Sequence, residues 1–165
     1  MKKIVTLLAG AAMIILPAMA QQPVIEQTKE QAEALEQANW YVPLSYGGFD
    51  FEIPAGCIVE KNSKIVARYP DGSFGLSMEN EAVPANQKIA FEKARSYATR
   101  YKLTDSKVEK KKIGGVAGAM AVGKLENFTV TVLILPIDDQ QVTTVLMTTP
   151  GREDWTRHLI ESMKH

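Results

Sequence analysis

Between residues 107 and 148 the chain offers four strand-like segments in succession, at 107–113, 116–125, 128–137 and 142–148, with only short breaks between them. Gly114-Gly115 and Asp138-Asp139 supply turn residues at two of those breaks, glycine because it reaches φ > 0 freely and Asp because it tolerates it. Short turns between strands at this spacing fit an antiparallel meander. The segment 128–137 (FTVTVLILPI) is apolar and β-branched almost throughout, which suits a central strand. This run constrains the fold more than any other part of the chain.

Around it the patterning changes period. Phe49-Asp50-Phe51-Glu52-Ile53 alternates apolar and acidic residues, the mark of a half-buried strand. Residues 65–69 and 73–78 flank Pro70-Asp71-Gly72 and read as a hairpin. Beyond Pro84, Asn86 is placed to cap a helix whose stripe is Ala90, Ala94, Tyr97, Ala98 and Tyr101. A second helix is expected over residues 152–164, with Trp155, Leu159 and Met163 on its buried side and Lys164 suiting its C-terminal end. Both helices need a face to cover and the sheet has apolar residues to cover. The expected fold is therefore α+β, an antiparallel meander with two helices packed on it.

The N-terminus has a different fate. Met1-Lys2-Lys3 is cationic, residues 4–16 are a 13-residue apolar run, Pro17 breaks it, and Ala18-Met19-Ala20 places small residues before a cut. That is the layout of a secretory signal peptide. Thirteen helical residues reach only about 20 Å of the roughly 30 Å hydrocarbon core, so a membrane span is the weaker reading. The expected organisation is a signal peptide over 1–20, a polar spacer over 21–39 that is partly helical or disordered, and one domain over 40–165. The product is then periplasmic or secreted, with no transmembrane segment in the mature chain. No lipid anchor is expected either, since Cys57 lies far beyond the apolar run.

The 19 basic and 19 acidic side chains of the whole chain balance, but removing Lys2 and Lys3 with the leader leaves 17 against 19, a net charge of −2. That is not the balance of a nucleic-acid binder. One cysteine excludes an internal disulfide, and two histidines leave little for zinc, so neither metal nor cofactor is expected. His158 is the only histidine inside the fold, and no G-x-S-x-G accompanies it. It reads as a partly exposed helix residue, with catalytic base as the alternative. Cys57 reads as a small buried residue, with reactive thiol as the alternative. Glu79 with Glu81, and Asp138 with Asp139, are carboxylate pairs without the setting of a glycosidase. The glycines of Gly114-Gly115-Val116-Ala117-Gly118 lack both the spacing and the following helix of a phosphate loop. Met78, Met120, Met147 and Met163 read as core fillers.

Two clusters are candidate binding features. Trp40, Tyr41, Tyr46, Phe49 and Phe51 gather at the domain entrance around Gly47-Gly48, either lining a ligand or partner groove or sealing an edge of the core. Lys110, Lys111 and Lys112 form a basic run, either protecting a sheet edge or meeting an anionic partner.

The element order, with Phe51-Glu52-Ile53-Pro54 at the start, a hairpin, a helix, a meander and a terminal helix bearing Trp155, resembles the PsbP-like fold. That fold also occurs in Ran-binding Mog-type proteins and in exported bacterial domains of the DcrB and LpqN types. The resemblance implies an α/β/α sandwich and an accessory or binding role without catalytic machinery, and it carries over no site residue. The function expected is that of an exported, noncatalytic accessory protein of the bacterial cell envelope, not an enzyme, that binds a partner protein or a small ligand. The alternative is a small exported hydrolase with an unrecognised site.

Overall fold

The apolar segment Phe128–Ile137 does form an interior strand, and the rest of the molecule is arranged to cover both of its faces. The computed structural model describes residues 40–83 and 86–165, so the expected signal peptide, the spacer and Pro84 lie outside the described residues. In chain order the elements are β1 (Tyr41–Tyr46), β2 (Phe49–Pro54), β3 (Ile58–Lys61), β4 (Lys64–Arg68), β5 (Phe74–Glu81), α1 (Gln87–Arg100), β6 (Thr104–Ile113), β7 (Val116–Leu125), β8 (Phe128–Ile137), β9 (Gln140–Thr148) and α2 (Glu153–Ser162). β3 to β9 make one seven-stranded sheet in the order β3-β4-β5-β9-β8-β7-β6, every pairing antiparallel. β1 and β2 form a separate two-stranded hairpin.

The expected α+β meander with two helices is the fold observed. β6, β7, β8 and β9 lie side by side in chain order, and β4 with β5 is the expected hairpin. Gly114 and Gly115, at φ 57° and 87°, turn β6 into β7, which a Cβ-bearing residue adopts only at a cost. Gly118 has a different reason to be glycine: an added Cβ would come within 2.3 Å of the Ile134 carbonyl oxygen on β8. The strand at 58–61 is one the patterning does not announce, since Ile58 and Val59 are followed at once by Glu60 and Lys61.

The sheet carries a layer on each face. Under α1, Ala90, Ala94 and Ala98 are buried against Ala119, Ala121, Val130, Val132 and Ile134. Small side chains on both partners let the helix lie close to the strands. Asn86 caps α1 as expected, its Oδ1 accepting from the Ile89 N–H at 3.0 Å. Tyr97 and Tyr101 depart from the expected stripe. They stand beside the alanines, half-buried and exposed respectively, because the helix rests on the i, i+4, i+8 row of alanines.

On the other face the main core gathers Phe74, Leu76, Met78, Leu133, Leu135, Val142 and Leu146 of the sheet. Phe49, Phe51 and Ile53 of the hairpin and Trp155, Leu159 and Met163 at the C-terminal end close it. The Trp155 indole meets Tyr69 at 4.9 Å and Phe74 at 6.0 Å between ring centroids, and the Arg152 guanidinium lies over it at 4.5 Å. α2 stops at Ser162, earlier than expected, and Lys164 does not serve the helix end. Its backbone instead bridges Asp50 of β2 and Gly114 of the β6–β7 turn, which ties the hairpin to the sheet.

Candidate functional site

Helix α2 has three sides, and each has a different task. Trp155 and Leu159 face the core. Asp154, His158 and Ser162 recur at i, i+4 and i+8, and two of them contact the hairpin. His158 Nε2 lies 2.7 Å from Glu52 Oε2, and the Glu52 N–H donates to Ser162 Oγ at 2.9 Å. The Tyr41 ring stacks on the imidazole, with centroids 3.6 Å apart and planes at 17°. Burial raises the Tyr41 phenol above its ordinary value, and the nearby carboxylates of Asp154 and Glu52 add to that. Glu153, Thr156, Arg157, Ile160 and Glu161 face the opposite way.

That third side is the wall of an open groove of about 440 Å³, within the size range of small-molecule sites. Its floor is the part of the sheet that neither α2 nor the hairpin covers. Lys111 of β6, Met120 and Val122 of β7, Thr129 and Thr131 of β8 and Thr148 of β9 supply it. The register explains the set: Val122 pairs with Thr131, and Thr129 with both Lys124 and Thr148, so these side chains share a face by strand alternation. The surface is mainly apolar with hydroxyls set into it. Thr148 is 1% exposed, and its Oγ1 has no hydrogen-bond partner among the described residues. A buried hydroxyl left this way costs roughly 1–3 kcal/mol until it gains a partner.

The aromatic cluster divides. Phe49 and Phe51 are 1% and 2% exposed and belong to the core, so they line no groove. Alternation along β2 turns both rings toward the sheet. Tyr41 stacks on His158, and the Tyr46 hydroxyl donates to the Ser63 carbonyl at 2.7 Å. Trp40 is 63% exposed, with its carbonyl accepting from the Ala55 N–H. The glycines Gly47 and Gly48 border a separate, more polar pocket with Asn80, Asp138, Asp139 and Gln140.

The lysine run divides too. All three are exposed on β6, the sheet edge, but alternation puts Lys111 on the groove side and Lys110 and Lys112 on the α1 side. They make no single patch. Lys111 also lies 3.8 Å from Glu109, which Lys107 contacts at 2.9 Å. Of the residues singled out by sequence, Lys111 and Met120 line the groove. Thr129, Thr131, Thr148 and the outer side of α2 were missed. The available signal was the pair of threonines at period two in FTVTV, hydroxyls on one face of an otherwise apolar strand.

Cys57 is half-buried against the core, and burial, with Asp71 nearby, pushes its thiol up to about 12. No group of three or more His, Cys, Asp or Glu side chains suited to a metal ion occurs among the described residues. No helix among them is long and apolar enough to cross a membrane.

No protein-family model matches the chain, and no curated protein matches it. Solved structures do. One is a crystal structure from Bacteroides thetaiotaomicron, 14% identical with a TM-score of 0.51, in which the match covers 73% of this chain and 46% of that one. This chain thus spans about half the length of that relative. Another is the solution structure of cyanobacterial PsbP (CyanoP) from Synechocystis sp. PCC 6803, 13% identical with a TM-score of 0.52, covering 76% of this chain and 92% of that one. The fold is PsbP-like, as its element order led one to expect.

Proposed function

We propose that this PsbP-like chain is an exported, noncatalytic accessory protein of the bacterial cell envelope, and that it binds a small ligand in the groove between α2 and the β6–β9 part of the sheet. The observation that carries the reading is the groove itself: an apolar concavity on rigid elements, with the buried hydroxyl of Thr148 unpartnered on its floor. The state of the two reactive side chains supports a noncatalytic role. His158 is engaged by Glu52 and by the Tyr41 ring, and the Cys57 thiol stays protonated at neutral pH. Export rests on the leader, with a cut after Ala20 that leaves 145 residues.

A small exported hydrolase is the second reading, and the His158–Glu52 pair is what favours it, because a carboxylate orients a catalytic histidine in that way. A nucleophile is the missing part: among the described residues no serine, threonine or cysteine hydrogen-bonds to His158. Native mass spectrometry of protein recovered from its own envelope fraction tests the main reading. The expected result is a chain starting at Gln21 that carries a noncovalent small molecule. A bare chain in every preparation, together with turnover abolished by His158→Ala, would establish the hydrolase instead.

A further inference from the structure

We infer that the β6 edge of the sheet, with the start of α1 beside it, is a docking face for an anionic lipid surface, which the molecule meets edge-on. Charge is spread unevenly over the fold. Residues 86–125, which make α1, β6 and β7, hold ten basic and three acidic side chains, a net +7. The other described residues hold six basic and twelve acidic side chains, a net −6. A molecule divided in this way turns its cationic side toward a negative surface before contact.

The register brings these cations to one edge. Gln87 Nε2 donates to the Gly118 carbonyl at 3.3 Å, and Gly118 pairs with Lys111, so α1 starts beside the lysine run. A Cβ on Gly123 would meet the Leu103 Cβ at 2.8 Å, so the chain leaving α1 passes near Val122 and its partner Lys107. Lys88, Lys102, Lys110 and Lys112 are exposed and make no ion pair among the described residues. Arg95 lies over the Phe91 ring and reaches Glu92 at 3.5 Å, but both members of that pair are more than half exposed and water screens it. Of the two carboxylates on β6, Glu109 is already engaged by Lys107 and Lys111, which leaves Asp105.

Three features fit a fluid surface better than a small ligand or a partner strand. Alternation sends Lys110 and Lys112 to one face of the sheet and Lys107 and Lys111 to the other. A ligand on either face meets only one pair, whereas a surface lying along the edge meets both. β6 also carries an extra residue between Thr104 and Lys107, with Asp105 at φ 51°, and a bulge together with lysines opposes the addition of another strand. Eight of the ten cations are lysines, whose point charges suit mobile headgroups, while the arginine fork suits one fixed carboxylate or phosphate. The face acts independently of whatever the groove holds, yet a bilayer on it lies beside Lys111 at the groove's border.

The test is co-sedimentation of the chain from Gln21 onward with phosphatidylcholine vesicles, with and without phosphatidylglycerol as the anionic component. Partitioning is expected with the anionic vesicles only. It is expected to fall at least about tenfold when ionic strength rises from about 0.1 M to about 1 M, which shortens the screening length from about 10 Å to about 3 Å. Lys110→Gln combined with Lys112→Gln is expected to lower the partition coefficient about tenfold or more. Lys61→Gln combined with Lys64→Gln removes the same charge from the opposite edge of the sheet and is expected to change it by less than about twofold. Equal losses in the two double variants would overturn the β6 edge as the docking face. No partitioning into anionic vesicles at low salt would overturn the lipid assignment, and salt-sensitive retention of that same protein on immobilised polyglutamate would give the face to an acidic protein instead.

Discussion

Cys57 and His158 are the two side chains singled out for reactivity, and each is engaged by its surroundings. Burial disfavours the Cys57 thiolate and the Asp71 carboxylate adds to this, so the thiol titrates near 12. A pKa raised on folding stabilises the native state below the unfolded value of about 8.5, and that contribution is lost as pH climbs toward 12. Two outcomes follow. Iodoacetamide at pH 8 is expected to label the folded protein far more slowly than the unfolded one, with the folded rate still climbing with pH where the unfolded rate has levelled off. Cys57→Ala is expected to flatten the part of the alkaline stability loss that belongs to this group, as read by urea melts between pH 8 and 11; an unchanged slope would show that the thiol does not contribute. His158 is more exposed. The contact with Glu52 joins side chains 35% and 47% exposed, so screening by water holds it to about 0–1 kcal/mol. The Tyr41 stack adds about 0.5–1.5 kcal/mol. His158→Ala is therefore expected to destabilise more than Glu52→Gln, and equal losses in chemical denaturation would contradict the weight given to the ring.

At the scale of elements, the two helices are held by different means and should fail differently. α1 lies close because Ala90, Ala94 and Ala98 present almost no volume to the strands. Ala94→Leu is expected to cost about 1–3 kcal/mol by overpacking. α2 is held by large side chains, and Leu159→Ala leaves a cavity expected to cost about 2–5 kcal/mol. Differential scanning calorimetry of the two variants checks both, and a neutral Ala94→Leu would contradict the close approach. The alanine periodicity and the Asn86 cap made α1 legible in the sequence, because the signals that form such a helix are local. β8 was legible for a related reason: a strand covered on both faces over most of its length is apolar at most positions, and Thr129 and Thr131 fall where one face opens onto the groove. β3 was not legible, since four residues at a sheet edge owe their strand state to pairing with β4. Nor was the early end of α2, where the backbone of Lys164 leaves the helix for partners in β2 and in the β6–β7 turn, far away in sequence.

For the molecule as a whole, the consequence of the architecture is that α2 and the hairpin together cover only part of one sheet face. The hairpin and the tail close the region near Phe49, Gly114 and Met163, and among the described residues the remainder of that face is left open as the groove. A concavity of this kind is assembled from β6 to β9 and from the outer side of α2, so no short stretch of sequence announces it. The aromatic residues at 40–51 drew attention because they are adjacent in the chain, yet strand alternation sends Phe49 and Phe51 inward and Tyr41 onto His158. Scattered threonines converged instead. The most direct test of the account is amide chemical-shift mapping of the protein on addition of a neutral apolar probe, decanol. Shifts are expected to concentrate at Met120, Val122, Thr131, Thr148, Thr156 and Ile160, saturating together. Shifts that cluster at Trp40 to Phe51, or that select no surface, would contradict the groove as the site where this protein binds.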